Sequence, residues 1–451
     1  MKMTFTNIKR AVGFCAALMM LTAINAQNAR ADNPSVQITS QLSHPYILSG
    51  ESQKVYLKIG LRGTKPPELD NIQRPSINIA LVLDKSGSMS GQKITDVKQA
   101  AKAMIDRLKP NDTLSLIVYD SSAQVLVPAS PLENPELIKQ RIDAITADGG
   151  TALYDGLMNG AQQLRNYISD HQVNRVILLS DGLANVGPQS PSELAQVGEN
   201  LIREGIAVST IGIGAGYNED LMSTLAAKSD GFHRFLANSE DIYETLDWEI
   251  GKMTSVVAND VQITMNFPQG IRPVSVGREG TINDNNVLVK INQVYGDHEI
   301  YVLTEVEIMP DFIGSLIAPI ANISVNYYDI YNKKGNGIGE TVTANVTTDR
   351  ALANANLNRD VLIAVNEQNA AAIQKTAIDL RDQGKVQDAK ALLDEMAETL
   401  RKAGDLLASP RLTKYSETLK QSAQTIQDDA QWNENRKANT SSLFSASFNV
   451  S

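Results

Sequence analysis

Cysteine is almost absent from this chain of 451 residues, because the only one, Cys15, lies in an apolar segment near the N-terminus. If that segment is removed, the remaining chain cannot form a disulfide bond, use a thiol nucleophile or bind zinc through cysteine. Phe14 precedes Cys15, whereas a lipoprotein cysteine is expected to follow a small residue. The scarcity of cysteine therefore excludes three kinds of chemistry at once.

Histidine is also scarce, and acidic residues outnumber basic ones. The four histidines fall in different predicted elements, and none has the spacing of paired metal ligands on a helix. No histidine clearly accompanies a serine as a hydrolase requires. The net charge is −10, and a chain this acidic lacks the basic patch that nucleic acid requires. The histidines are His44, His171, His233 and His298.

Long apolar runs are missing except for Ala11–Ile24, which follows Lys9 and Arg10. The pattern predicts a signal peptide over residues 1–31, cut after Ala31 or alternatively after Ala26. An uncleaved anchor remains the alternative, although the run is short for a membrane span. Cleavage would remove four basic residues and change the net charge from −10 to −14. We therefore expect a secreted or periplasmic protein, and export without disulfides indicates a bacterial envelope.

The spacing of apolar residues along the sequence divides the rest of the chain into five segments. Residues 32–75 alternate like β-strands, and in residues 76–256 buried strands alternate with amphipathic helices, which predicts a parallel sheet covered on both faces. Residues 257–349 return to period two and predict a β-sandwich. Residues 350–430 predict a helical hairpin or small bundle, and residues 431–451 a flexible tail.

Two interpretations of these segments depend on how much core each can bury. The N-terminal strands are too few to bury a core alone, so we expect them to join the later sandwich, with the α/β module inserted between the two parts. The turn at Gly384–Ala389 is also similar to that of a tetratricopeptide hairpin, which gives an alternative interpretation of the helical segment. No second copy follows it, and such arrays need about three repeats, so the bundle is preferred.

Polar oxygens collect where the buried strands of the α/β module end. Asp84, Ser86 and Ser88 form a D-x-S-x-S run directly after an apolar strand, Thr151 opens a later helix, and Asp181 follows a third strand. In an open α/β sheet, ligands bind outside the carboxyl ends of the strands, so these three loops are expected to converge. Carboxylate and hydroxyl oxygens suit a hard divalent cation such as Mg²⁺, Mn²⁺ or Ca²⁺.

With this D-x-S-x-S, Thr and Asp pattern, the segment Ser76–Val256 closely resembles the von Willebrand factor type A family, whose integrin relatives carry a metal-ion-dependent adhesion site. The resemblance implies a doubly wound, Rossmann-like sheet. It makes Asp84, Ser86, Ser88 and Thr151 ligands or near-ligands of the cation, with Asp181 binding through water or from farther away. No departure occurs at these five positions.

A site with few carboxylates leaves positive charge on the cation, so it favours an anion as a further ligand. We therefore expect a non-enzymatic, cation-dependent adhesion or envelope-assembly protein that binds an Asp or Glu side chain of a partner protein, with Mg²⁺ preferred over Ca²⁺ or Mn²⁺. The resemblance leaves two alternatives, a chelatase-like subunit coupled to an ATPase and a calcium-regulated channel-associated protein. The predicted signal peptide counts against the first, and the lack of spanning helices after cleavage counts against the second.

Two further motifs are interpreted as structural turns. Gly212–Gly216 follows a strand but lacks the spacing of a phosphate-binding loop. Asp311, Asp329 and the run Asn283–Asn286 carry oxygens that calcium could use, but they fit solvated turns better.

Overall fold

The structure is a computed structural model that describes residues 35–441, apart from 65–73, 170–171, 185–186, 215, 279, 311–315, 429–430, 434 and 439. The predicted signal peptide, His171, Asp311 and the end of the predicted tail lie outside the described residues. Among the residues described, no helix has the length and apolarity that crossing a membrane requires.

The described residues form strands in three sheets, together with helices in the centre and at the C-terminal end of the chain. The strands are β1 (Val36–Leu42), β2 (Tyr46–Leu48), β3 (Gln53–Gly63), β4 (Ile77–Asp84), β5 (Thr113–Tyr119), β6 (Ala123–Pro131), β7 (Val173–Ser180), β8 (Ile206–Ile213), β9 (His233–Leu236), β10 (Val256–Asn266), β11 (Ile271–Val276), β12 (Thr281–Asn283), β13 (Asn286–Tyr295), β14 (Glu299–Ile308), β15 (Ile317–Asp329) and β16 (Lys334–Thr347). The helices are α1 (Gln92–Arg107), α2 (Pro135–Asp143), α3 (Leu153–Arg165), α4 (Pro191–Arg203), α5 (Glu219–Lys228), α6 (Ile242–Thr254), α7 (Arg350–Ala355), α8 (Arg359–Asp382), α9 (Val386–Leu407) and α10 (Pro410–Thr425).

The central domain is a six-stranded sheet in the order β6-β5-β4-β7-β8-β9. All neighbours are parallel except β5 and β6, which pair as an antiparallel hairpin. Strand β6 was not predicted from the sequence, because its apolar alternation is interrupted by Pro128. The chain leaves β4 toward β5 on one side and later returns to β7 on the other. This reversal creates a crevice at the carboxyl ends of β4 and β7.

Helices cover both faces of this sheet because the side chains of its strands alternate. On β4, Ile79, Leu81 and Leu83 pack in a core with α1, α2 and α6. Ala80 and Val82 point the other way, into a core with α3, α4 and α5. Both sets are buried, which explains why the strand reads as a continuous apolar run rather than an alternating one.

The β-sandwich is built from strands that precede and follow the α/β module in the sequence, as predicted. One sheet has the order β1-β3-β14-β11, the other β12-β13-β10-β15-β16-β2, and one hydrophobic core fills the space between them. The strand before the module and the strand after it meet at Gly63, where an added Cβ atom would lie 2.8 Å from Val257 Cγ2. The two ends of the module are therefore neighbours, and the predicted insertion is confirmed.

A buried polar cluster joins the α/β domain to the sandwich. Arg175 on β7 donates to Ser209 on β8 at 3.0 Å and to Gln293 on β13 at 2.8 Å. The Arg175 guanidinium also lies 3.4 Å from Glu249 on α6, and both side chains are almost fully buried. Arg175 lies near the amino end of β7. The sandwich therefore contacts the sheet at the amino ends of its strands, whereas the crevice lies at their carboxyl ends.

The C-terminal helices form a small bundle, α8 to α10, with a shared core, as the predicted fold class requires. The described residues after 430 differ from the predicted flexible tail. Trp432 is only 1% exposed, and Arg436 donates to Glu219 at the start of α5 at 2.7 Å. Lys437 also pairs with Glu219, at 2.5 Å. Trp432 packs in the core of the bundle, and the ion pairs to Glu219 add contacts that an apolar pattern does not predict.

Candidate metal-ion site

The first loop of the crevice begins at the last residue of β4. Asp84 is fully buried, and its carboxylate accepts a hydrogen bond from the Ser86 backbone N–H at 2.8 Å. Gly87–Met89 then forms a single turn of 3-10 helix that leads into α1. Asp84 and Ser86 are buried while Ser88 is exposed, so the loop runs from the core to the surface.

The second loop, which precedes α3, is attached to the first by backbone hydrogen bonds. Asp148 N–H donates to Lys85 C=O at 2.8 Å, and Gly87 N–H donates to Gly149 C=O at 3.1 Å. Gly149 has a φ of +80°, a conformation that glycine adopts without strain. Thr151, which follows, is buried. This attachment places the Thr151 loop beside the D-x-S-x-S loop.

The third loop follows β7 and brings the second carboxylate. Ser180 donates its hydroxyl to the Asp84 carboxylate at 2.7 Å, and Ser88 donates its hydroxyl to the Asp181 carboxylate at 2.6 Å. A Cβ atom added to Gly182 would lie 3.3 Å from Thr151 Oγ1 and 3.7 Å from Ser88 Oγ. The three loops therefore meet at Gly182.

The predicted residues form one connected arrangement. Asp84 binds the Ser86 backbone, the Ser86 and Ser88 hydroxyls are 3.1 Å apart, and Ser88 binds Asp181. Thr151 lies next to Ser88 across Gly182. All five residues were predicted from the sequence, and the fold brings their loops together.

The donor set fits a divalent cation. Two neighbouring ligands in an octahedron with bonds of about 2.1 Å are about 3 Å apart, which matches the separation of the two serine hydroxyls. One Asp84 oxygen accepts a hydrogen bond from the Ser86 backbone N–H and the other accepts one from the Ser180 hydroxyl. A carboxylate oxygen has two lone pairs, so these bonds are compatible with coordination of a cation. Ser88 donates its only proton to Asp181, so it accepts from the Ser86 hydroxyl and keeps a second lone pair that a cation could use. In this arrangement Asp181 is placed to act through Ser88 rather than as a primary ligand.

The buried carboxylate of Asp84 is not paired with the neighbouring Lys85. Burial raises the pKa of Asp84, an effect that its hydrogen bonds to Ser86 and Ser180 oppose. Lys85 turns away from Asp84 and pairs with Asp120, where it lowers the pKa of that carboxyl. A cation at this position would relieve the cost of the buried Asp84 charge.

Sequence reasoning missed two residues that contact the site. Ser180 donates to Asp84, and Lys93 in the first turn of α1 lies 2.5 Å from the Asp181 carboxylate. Ser180 directly precedes Asp181, and its position at a strand end was the available signal. Lys93 carries no such signal, because one lysine in an exposed first turn resembles any other.

The remaining candidate features have structural partners. The buried His233 lies 2.9 Å from Thr210 Oγ1, and burial lowers its pKa to about 3. A Cβ atom on Gly212 would lie 2.2 Å from the Tyr217 ring, so this glycine allows an aromatic ring to pack on β8. Asp329 accepts two hydrogen bonds from Asn332 within a turn. Over the described part of the chain, no three His, Cys, Asp or Glu side chains cluster as a metal site.

Comparison with known families identifies the central domain. Residues 78–248 match the family model of the von Willebrand factor type A domain. The chain therefore contains a von Willebrand factor type A domain, and the resemblance found in the sequence is confirmed. This family is commonly involved in metal-dependent protein interaction, and its members often bind a divalent cation.

Three curated relatives are similar over this region. An uncharacterized protein of Synechocystis sp. is 30% identical over 211 residues, which cover 46% of this chain and 50% of the relative. The uncharacterized Escherichia coli protein YfbK is 26% identical, with coverages of 48% and 37%. Inter-alpha-trypsin inhibitor heavy chain H3 of Rattus norvegicus is 31% identical, with coverages of 36% and 19%. The chain thus spans half or less of these relatives' length.

Two solved structures share the fold over most of this chain. A von Willebrand factor type A protein from Catenulispora acidiphila has a TM-score of 0.66 at 16% identity and covers 85% of this chain and 90% of its own. The ArnB paralog VWA2 from Sulfolobus acidocaldarius has a TM-score of 0.59 at 19% identity, with coverages of 92% and 99%. At these coverages the shared fold extends beyond the central domain.

Proposed function

We propose that this protein is an exported, non-enzymatic binding protein that captures an acidic side chain of a partner protein through a divalent cation, with Mg²⁺ preferred. The observation that carries the proposal is the hydrogen-bonded arrangement of Asp84, Ser86, Ser88 and Asp181 in the crevice between β4 and β7. Its oxygens converge from separate loops, and its outer member, Ser88, is exposed.

The residues have different roles in this proposal. Asp84 supplies the direct negative charge, Ser86, Ser88 and Thr151 supply neutral oxygens, and Asp181 orients Ser88 by accepting its proton. A divalent cation bound by one carboxylate and neutral hydroxyls retains positive charge and a coordination position for a partner's carboxylate. The exposure of Ser88 supports this proposal, because that side of the site is accessible from solvent.

The chemistry of the crevice favours binding over catalysis. Asp84 is directed into the site, and its carboxylate is engaged by Ser86 and Ser180. The buried His233 lies on β9, two strands away from β7 in the sheet. Export to a cell envelope is part of the proposal and rests on the basic and apolar pattern of residues 1–31.

The test is affinity capture from envelope extracts on immobilised protein, with elution by EDTA. We expect proteins to be retained in Mg²⁺ and released by the chelator, and Asp84→Ala to retain none of them while keeping its fold. Asp405→Asn is the matched control, because that carboxylate is 68% exposed and lies in the helical bundle. Equal capture by the wild type and by Asp84→Ala would refute the proposal. Recovery of the mature N-terminus from the native host would test export.

A further inference from the structure

Lys93 contacts the candidate metal site directly. Its ammonium lies 2.5 Å from Asp181 Oδ2 and 3.5 Å from the Ser88 backbone oxygen. A Cβ atom on Gly214 would lie 3.9 Å from the same nitrogen, so the side chain extends from α1 to the loops after β4, β7 and β8. The position is therefore defined by three loops and differs from that of a lysine in open solvent.

The two oxygens of Asp181 are divided between different donors. Oδ1 accepts the Ser88 hydroxyl at 2.6 Å, and Oδ2 accepts the Lys93 ammonium. The Asp181 side chain is fully buried, whereas the Lys93 side chain is 37% exposed. Because one end of the pair is removed from water, this ion pair is stronger than an ordinary surface pair.

The charge of the site depends on Lys93. Asp84 and Asp181 contribute two negative charges and Lys93 one positive charge, so a bound divalent cation would leave the group with one net positive charge. Without Lys93 the same group would be neutral. The net positive charge is what would attract a partner's carboxylate.

We propose that Lys93 is a positioning residue that holds Asp181 away from direct coordination and keeps the site positively charged, so that cation affinity is lowered and affinity for an acidic ligand is raised. The inference rests on the proposed function, because it requires a cation in the site. A purely structural role would affect both affinities in the same direction through loss of the fold. The proposed role affects them in opposite directions.

The variant that separates these roles is Lys93→Met, which keeps the length of the side chain and removes its charge. Lys93→Arg keeps the charge and should behave like the wild type. Lys102→Met is the matched control, because Lys102 lies on the same helix and pairs with Asp143, outside the site. Thermal unfolding of each variant without cation measures whether the fold is kept, and Lys93→Gln replaces Lys93→Met if the latter does not fold.

The measurements use Mn²⁺ as the cation and acetate as the acidic probe. Mn²⁺ affinity is measured by electron paramagnetic resonance, and acetate binding by the loss of water-proton relaxation as acetate replaces Mn²⁺-bound water. We expect Lys93→Met to bind Mn²⁺ roughly tenfold more tightly, because a nearby like charge is removed. We expect its Mn²⁺ complex to bind acetate several-fold more weakly than the wild-type complex does.

The possible results separate the two proposals. If the wild type binds no Mn²⁺, the proposed function itself fails. If the wild type binds Mn²⁺ and Lys93→Met binds it equally or more weakly, the role of Lys93 is refuted while the proposed function stands. Tighter Mn²⁺ binding with unchanged acetate binding also refutes it, because the charge would then have no effect on the ligand.

Discussion

Replacement of Asp84 by asparagine should have opposite effects on stability with and without cation. Asp84 is fully buried, and burial raises the pKa of its carboxyl. A carboxyl whose pKa is raised by folding stabilises the fold when protonated, and this contribution is lost as the pH rises through its folded-state pKa. At neutral pH without cation, Asp84→Asn should therefore raise the free energy of unfolding.

The geometry suggests that asparagine fits without a steric penalty. Its side-chain oxygen can still accept the Ser86 backbone N–H, and its amide can donate to Ser180 if that hydroxyl rotates to accept. The variant thus removes a buried charge and leaves each neighbouring group with a partner. The matched control is again Asp405→Asn, whose exposed carboxylate has a negligible desolvation cost.

When a cation is present, the wild type should be more stable than Asp84→Asn. A cation at 100 times its dissociation constant stabilises the folded wild type by about 2.7 kcal/mol. For a domain of about 180 residues this corresponds to a rise in Tm of roughly 5–10 °C. The Asn variant lacks the direct negative ligand, so its Tm should not change with Mg²⁺ or Mn²⁺.

The assay is thermal unfolding of the wild type, Asp84→Asn and Asp405→Asn at neutral pH, with EDTA and with a titration of Mg²⁺. A wild type whose Tm does not rise with Mg²⁺, or an Asn variant stabilised as much as the wild type, would refute the assignment of Asp84. An Asn variant less stable than the wild type in EDTA would show that burial of the Asp84 charge is not costly.

Three further predictions concern the scaffold that holds the site. Burial lowers the pKa of His233 from the ordinary 6.5 to about 3, so the unfolded chain binds this proton at a higher pH than the folded chain does. The free energy of unfolding should therefore fall by up to about 1.4 kcal/mol per pH unit as the pH drops below 6.5. Gly231→Ala should destabilise the α/β domain by about 3 kcal/mol or more, because its Cβ atom would lie 1.9 Å from Val208 C=O. Arg175→Met should cost about 3–5 kcal/mol, because it leaves the Glu249 carboxylate buried without its cation. Each value is measured by denaturant unfolding.

Matched variants control these three predictions. His233→Gln should show a shallower decline below pH 6.5, and an equal decline in both proteins would contradict the assignment. Gly251→Ala, in a helix where the added Cβ meets no atom within 4 Å, should stabilise by about 0.5–1 kcal/mol. Arg175→Met combined with Glu249→Gln should recover part of the stability that the single variant loses. No recovery would mean that the two charges do not interact.

Local patterns in the sequence were sufficient to predict the class of each segment and the five candidate ligands. The strand before Asp84 is a continuous apolar run, and turn-forming residues follow it, so the strand-to-loop boundary is encoded within about ten residues. The same holds for Thr151 before α3 and Asp181 after β7. The alternation of apolar and polar residues in the sandwich strands can likewise be recognised within each strand alone.

What only the tertiary structure decided is which distant residues meet. Strand order places β4 beside β7, and with them Asp84 beside Ser180 and Asp181, although 96 positions separate Asp84 from Ser180. The roles of Lys93 and of the segment around Arg436 depend on charges that find partners across the fold. Hydrophobic periodicity reports which face of an element is buried, but it carries no information about the partner of a single charge. The candidate ligands could therefore be predicted from the sequence, whereas the charged partners around them could be identified only from the fold.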